Sequence, residues 1–128
     1  MVVSIVTSLF TQAINPTPAI PELVIYKERP PLMQVDHKEL ARELLSKKDF
    51  KCFSYVMSKE SAWKNKKNPH SSAAGVGQLL DSTYENLGMK RSKSEVAQTI
   101  AALAYIGRKY GNGGACAAAL HFRKFNWY

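Results

Sequence analysis

The chain has 128 residues, 45% hydrophobic and 10% aromatic, enough for one domain with a real core and too few for two. Its 18 Lys and Arg against 10 Asp and Glu give a formal charge of +8, which favours a polyanionic partner such as nucleic acid, an anionic membrane surface or an anionic cell wall. Cys52 and Cys116 have neither the C-x-x-C spacing of a zinc site nor the density of a disulfide scaffold, and leave both a single bridge and two buried thiols open.

The first 20 residues carry no charge, and the apolar run Val2 to Phe10 is too short to cross a bilayer as a helix, so no transmembrane span is expected. A secretory signal would need a basic leading region, which is missing, although the small residues around Pro18 and Ala19 resemble a weak cleavage site. Prolines at 16, 18, 21, 30 and 31 hold the residues before them extended. Residues 1–34 therefore read as an extended proline-rich N-terminal arm or a targeting segment. Lys27 and Arg29 cancel Glu22 and Glu28 there, which leaves the whole net charge in residues 35–128, the expected functional domain.

Asp36 followed by Glu39 reads as a capping box opening a helix through Lys47, with Leu40, Leu44 and Leu45 on its apolar side. A second helix follows, in which Phe50, Phe53, Val56 and Met57 recur at helical spacing. Glu60 falls on or beside that same face, where an acid is out of pattern. Asn65 to Gly77 is polar, small and glycine-containing, a loop. Asp81 or Ser82 then caps a short helix to Leu87. Ser92 with Glu95 forms a second capping box before a helix over Ser94 to Tyr110, striped by Val96, Ile100, Leu103 and Ile106 and stopped by Gly111. A last short helix is expected over Ala115 to Leu120. No strand pattern of any length is present, so the fold class is mainly α.

A carboxyl at the end of an apolar helix, beside the ring of Trp63, is desolvated and holds its proton toward neutral pH, as a general acid for glycosidic cleavage must. Against this stands the ordinary reading of Glu60 as a solvated helix-end residue between Lys59 and Lys64. The run Gly75-Val76-Gly77-Gln78 adds backbone that a ligand can approach closely and an amide suited to sugar hydroxyls and N-acetyl groups.

Glu60-Ser61-Ala62-Trp63, followed by Gly75 through Gln78 with 18 residues from Glu60 to Gln78, resembles the soluble lytic transglycosylase family of the lysozyme-like superfamily. The family's Ala-x-x-Tyr-Ile helix and its closing turn are matched by Ala102, Tyr105, Ile106, Tyr110 and Gly111. The ending, with Cys116, His121, Trp127 and Tyr128, is similar to compact transglycosylase-like domains of Gram-positive bacteria and their phages. The resemblance covers roughly residues 50–128. Lys64-Asn65 replaces the Asn-Pro that usually follows the aromatic, and Leu120-His121 stands where the family often has Tyr-Asn-Ala-Gly.

The resemblance implies a lysozyme-like single domain over residues 35–128 with a glycan groove. Glu60 would be its catalytic residue, and Ser72, Gly75, Gln78, Tyr105 and His121 its substrate-binding residues. Peptidoglycan glycan strands would be the substrate, with the sugar's own N-acetyl group as nucleophile and a 1,6-anhydro product. The protein would then act outside the cytoplasm at the cell wall, secreted or virion-associated, with residues 1–34 free to engage phage or cell-envelope structural proteins.

The other downstream acids have helix-start explanations, Asp81 and Glu85 through the macrodipole and Glu95 through its capping box. That agrees with a one-acid mechanism; a hydrolytic lysozyme would need a second carboxylate. His37 and His70 read as surface residues, and no metal site or cofactor is expected. Trp127 and Tyr128 read as a pair docking onto the core, with sugar stacking the lesser reading. Two competing classes are a nucleic-acid-binding domain, which no motif supports, and a virion component that keeps the fold for wall binding.

Overall fold

In the computed structural model, residues 35–128 are described, and they form a compact unit by themselves. The expected arm over 1–34 lies outside the described residues. The unit is all-α. Its helices are α1 (His37–Leu44), α2 (Lys47–Ser61), α3 (Asp81–Leu87), α4 (Glu95–Tyr110) and α5 (Gly114–Phe125). Among the described residues, extended pairing is limited to the isolated bridges Lys67–Ala74 and Ala74–Leu79 in the loop between α2 and α3. No described helix is long and apolar enough to cross a membrane.

Side-chain caps explain where three helices begin. The Asp36 carboxylate accepts from the Lys38 amide at 2.8 Å, the Ser46 hydroxyl from the Asp49 amide at 3.1 Å, and the Ser94 hydroxyl from the Ala97 amide at 3.4 Å. Neither predicted capping box closes. Glu39 turns to Arg42 at 2.7 Å, and the cap of α4 is Ser94 because Ser92 accepts from the Ser94 amide instead. Glu95 accepts from the Asn65 amide at 3.1 Å, which ties α4 to the loop after α2.

The core joins α2, α4 and α5, with Phe53, Val56 and Met57 of α2 fully buried. Two expected apolar stripes are corrected. Leu44 is exposed and Ala41 is the buried residue of α1. On α4, Ile100 is 43% exposed, and the buried face is Gln98, Thr99, Ala101, Ala102 and Ile106. Small side chains are needed there because loop backbone and α5 press directly on the helix. At Gly114 a β-carbon would lie 3.0 Å from the Ile106 carbonyl oxygen.

Helix α5 runs beyond the predicted Leu120 to Phe125 and ends at Asn126 in the left-handed region, φ 61°. His37 is not a free surface residue. Its Nδ1 lies 2.9 Å from the Thr99 hydroxyl, and its ring packs 5.6 Å from that of Trp63. Cys52 of α2 and Cys116 of α5 form a disulfide with Cα atoms 4.8 Å apart, which decides the alternative the sequence left open.

Candidate active site

Glu60 stands one residue from the end of α2, and the way that helix stops sets its surroundings. Ala62 and Trp63 both take positive φ, 54° and 62°, and the Ala62 amide reaches back to the Ser58 carbonyl at 3.1 Å. This left-handed exit sends Trp63 into the core, 8% exposed, against Phe50 and Phe53. Ser61 is buried and donates its hydroxyl to the Val76 carbonyl at 2.6 Å, fixing the following loop to the helix end.

The loop is held from three further sides. The Gln98 side-chain oxygen accepts from the Val76 amide at 3.0 Å, and its amide group donates to the Ser92 carbonyl at 2.8 Å. Gln78, itself left-handed at φ 49°, donates to the carbonyls of Lys66 at 2.7 Å and Gly75 at 2.9 Å. The Tyr128 hydroxyl donates to the Gly77 carbonyl at 2.6 Å. The Val76 amide and the carbonyls of Lys66, Gly75, Val76 and Gly77 thus each have a side-chain partner, as buried backbone requires.

Between this loop, α3, α4 and the segment after α5 lies a cleft of about 420 Å³. Glu60, Gln78, Thr83, Tyr105, Trp127 and Tyr128 are among its walls. Glu60 is the one acidic residue among the described residues that line it. Burial raises the Glu60 carboxyl from 4.5 to about 7, and the positive charge of Lys66 opposes the rise. Burial also pushes the Tyr128 phenol well above its usual range, helped by the neighbouring Glu60 charge, so Tyr128 remains a proton-bearing donor.

The arrangement brings Gln78 and Tyr105 to the same cleft as Glu60 and takes the other three expected substrate-binding residues elsewhere. Ser72 accepts from the Asp81 amide at 3.1 Å, capping α3, and gives its carbonyl to Arg91. Gly75 is buried at φ +83°, where a β-carbon would meet Gln98 at 2.8 Å. Both line a neighbouring cavity of about 670 Å³ that has Ala73 in common with the Glu60 cleft. His121 places its Nδ1 2.7 Å from the Trp127 carbonyl oxygen and does not line the cleft.

The ring expected beside Glu60 is also different. Trp63 is turned inward, and the aromatic walls of the cleft are Tyr105, Trp127 and Tyr128. Trp127 and Tyr128 do not dock as a pair: Tyr128 is 7% exposed and Trp127 is 54% exposed. Ser61 and Gln98, which the residue pattern gave no role, hold the loop that forms one wall. The signal for Gln98 was a polar residue between the apolar positions of α4.

Among the described residues no group of three His, Cys, Asp or Glu side chains is placed to hold a metal ion. The chain matches none of the known protein families, curated proteins or solved structures with which it was compared.

Proposed function

We propose that this chain is a peptidoglycan lytic transglycosylase on a lysozyme-like α domain, cleaving the β-1,4 bond between N-acetylmuramic acid and N-acetylglucosamine. The observation that carries the reading is the solitary, half-buried carboxyl of Glu60 in a cleft with amide, hydroxyl and aromatic walls. A carboxyl raised to about 7 is partly protonated near neutrality, and so serves first as acid and then as base. The charge of +8 suits an anionic wall. A Cys52–Cys116 bridge suits an oxidising compartment outside the cytoplasm.

In the first step Glu60 gives its proton to the glycosidic oxygen. The bond from that oxygen to C1 breaks as the N-acetyl carbonyl oxygen of the same sugar bonds to C1, forming a cyclic oxazolinium. In the second, the Glu60 carboxylate removes the proton of the C6 hydroxyl, whose oxygen bonds to C1 and reopens the ring. The product is a 1,6-anhydro sugar, no water is consumed, and Glu60 ends as it began. Ordinary glycosidases place two carboxylates across the bond; a substrate that supplies its own nucleophile needs only one.

Mass spectrometry of fragments released from purified peptidoglycan tests this. Anhydro-muropeptides from the wild type and none from Glu60→Gln are expected. Reducing-end products, heavier by one water, would replace the reading with a hydrolase. Silence from both proteins would favour a wall-binding or structural role.

A further inference from the structure

Trp127 and Tyr128 are adjacent in sequence and face opposite ways. Tyr128 goes inward to Gly77, whereas Trp127, 54% exposed, stands on the wall of the Glu60 cleft. An aromatic left open forgoes burial worth roughly 1.5–3 kcal/mol, yet this indole is not loose. Asn126 turns the chain with φ 61°. One edge of the turn is fixed by His121, whose Nδ1–H donates to the Trp127 carbonyl at 2.7 Å. The imidazole and indole rings meet nearly at right angles, 4.2 Å between centroids. The Lys109 ammonium lies 4.4 Å from the indole centroid, and Phe125 backs the pair at 6.4 Å.

We infer that Trp127 is a sugar-stacking platform of the Glu60 cleft, oriented by His121 as its positioning residue. The inference rests on the glycan reading above. A pyranose ring carries C–H groups on one face, and an indole offers a broad apolar surface with a negative π face, so the two stack without needing hydrogen bonds. Lys109, whose ammonium lies over the indole and donates to the Tyr105 hydroxyl, keeps further N–H donors for oxygens of the same sugar. The clamp matters because an indole already held in place has little conformational entropy left to lose on binding.

The test uses a peptide-free tetrasaccharide of alternating N-acetylglucosamine and N-acetylmuramic acid, added to the non-cleaving Glu60→Gln protein. Binding is followed by calorimetry and by acrylamide quenching of indole fluorescence. Of the two tryptophans, Trp63 is 8% exposed and shielded, so the quenchable emission belongs to Trp127. Sugar should protect that emission. Adding Trp127→Ala should remove the quenchable emission itself and weaken calorimetric binding roughly tenfold, about 1.4 kcal/mol. Trp127→Phe, which keeps an aromatic face, should retain most of the affinity and guards against a folding artefact. His121→Ala should weaken binding and unprotect Trp127, and His121→Asn, which keeps a donor at the Nδ1 position, should restore both.

Unchanged calorimetric affinity in Trp127→Ala would overturn the platform and leave the glycan reading standing. No calorimetric binding to Glu60→Gln at all would overturn both. Unchanged affinity and protection in His121→Ala would remove His121 from the assignment.

Discussion

The hydroxyl of Tyr128 donates to the carbonyl of Gly77 at 2.6 Å, and a β-carbon on Gly77 would come within 2.7 Å of that same hydroxyl and 2.8 Å of the Ala102 methyl. The two residues therefore fix each other. Gly77→Ala has no room and should destabilise by about 1–3 kcal/mol, as overpacking does, while also displacing Tyr128 from the cleft wall. Tyr128→Phe removes only the hydrogen bond and should cost about 1 kcal/mol. Urea unfolding of the two variants should rank them in that order.

The raised carboxyl of Glu60 ties stability to pH with a definite sign. Below its ordinary value of 4.5 the group is protonated whether the chain is folded or not. Between 4.5 and about 7 the folded form holds a proton that the unfolded form has released, so stability is lost as pH rises through that window. Above it the folded protein carries the full cost of a half-buried negative charge. Glu60→Gln should melt higher than the wild type at pH 8 and no higher at pH 4, read from thermal unfolding at each pH. If Glu60 is the acid, kcat/KM of the wild type should fall as pH rises through about 7.

The disulfide joins residues 64 apart in sequence. Loop-closure entropy for a ring of that size gives about 4 kcal/mol. The double variant Cys52→Ser, Cys116→Ser should lose about 2–4 kcal/mol in chemical denaturation, and a thiol reductant should lower the wild-type melting temperature while leaving the double variant unmoved.

Gln98 satisfies the Val76 amide and the Ser92 carbonyl from the centre of the domain. Gln98→Leu keeps the bulk but strands the buried Val76 amide, at about 1–3 kcal/mol, while the carbonyl of exposed Ser92 turns to water. Hydrogen exchange should show the loss at the Val76 amide first, because the opening is local.

The second helix was legible from the spacing of Phe53, Val56 and Met57, but not its start, because Ser46, which caps it, lay inside the stretch read as the preceding helix. The sequence was misleading on α4, because Ala101 and Ala102 carry little hydrophobic weight and Ile100 carries much, whereas close approach of backbone decides which side is buried. The candidate acid was legible as an out-of-pattern Glu on a buried face. Its neighbours were less so: Ser72 and Gly75 sit in loop turns whose geometry no spacing encodes, and His121 lies on α5 turned to the Trp127 carbonyl. Tyr128 reaches Gly77 across 51 residues, a tertiary relation invisible to any local window.

The loop that brings Gln78 to the cleft is seated through Gly77 on the methyl of Ala102 and stitched down by Ser61, Gln98 and Tyr128. A seam this tight can be broken but not retuned. Drift in ligand preference is then to be sought at lining side chains outside that seam, Leu80, Thr83 and Trp127, where a changed side chain alters shape without loosening the loop beside Glu60.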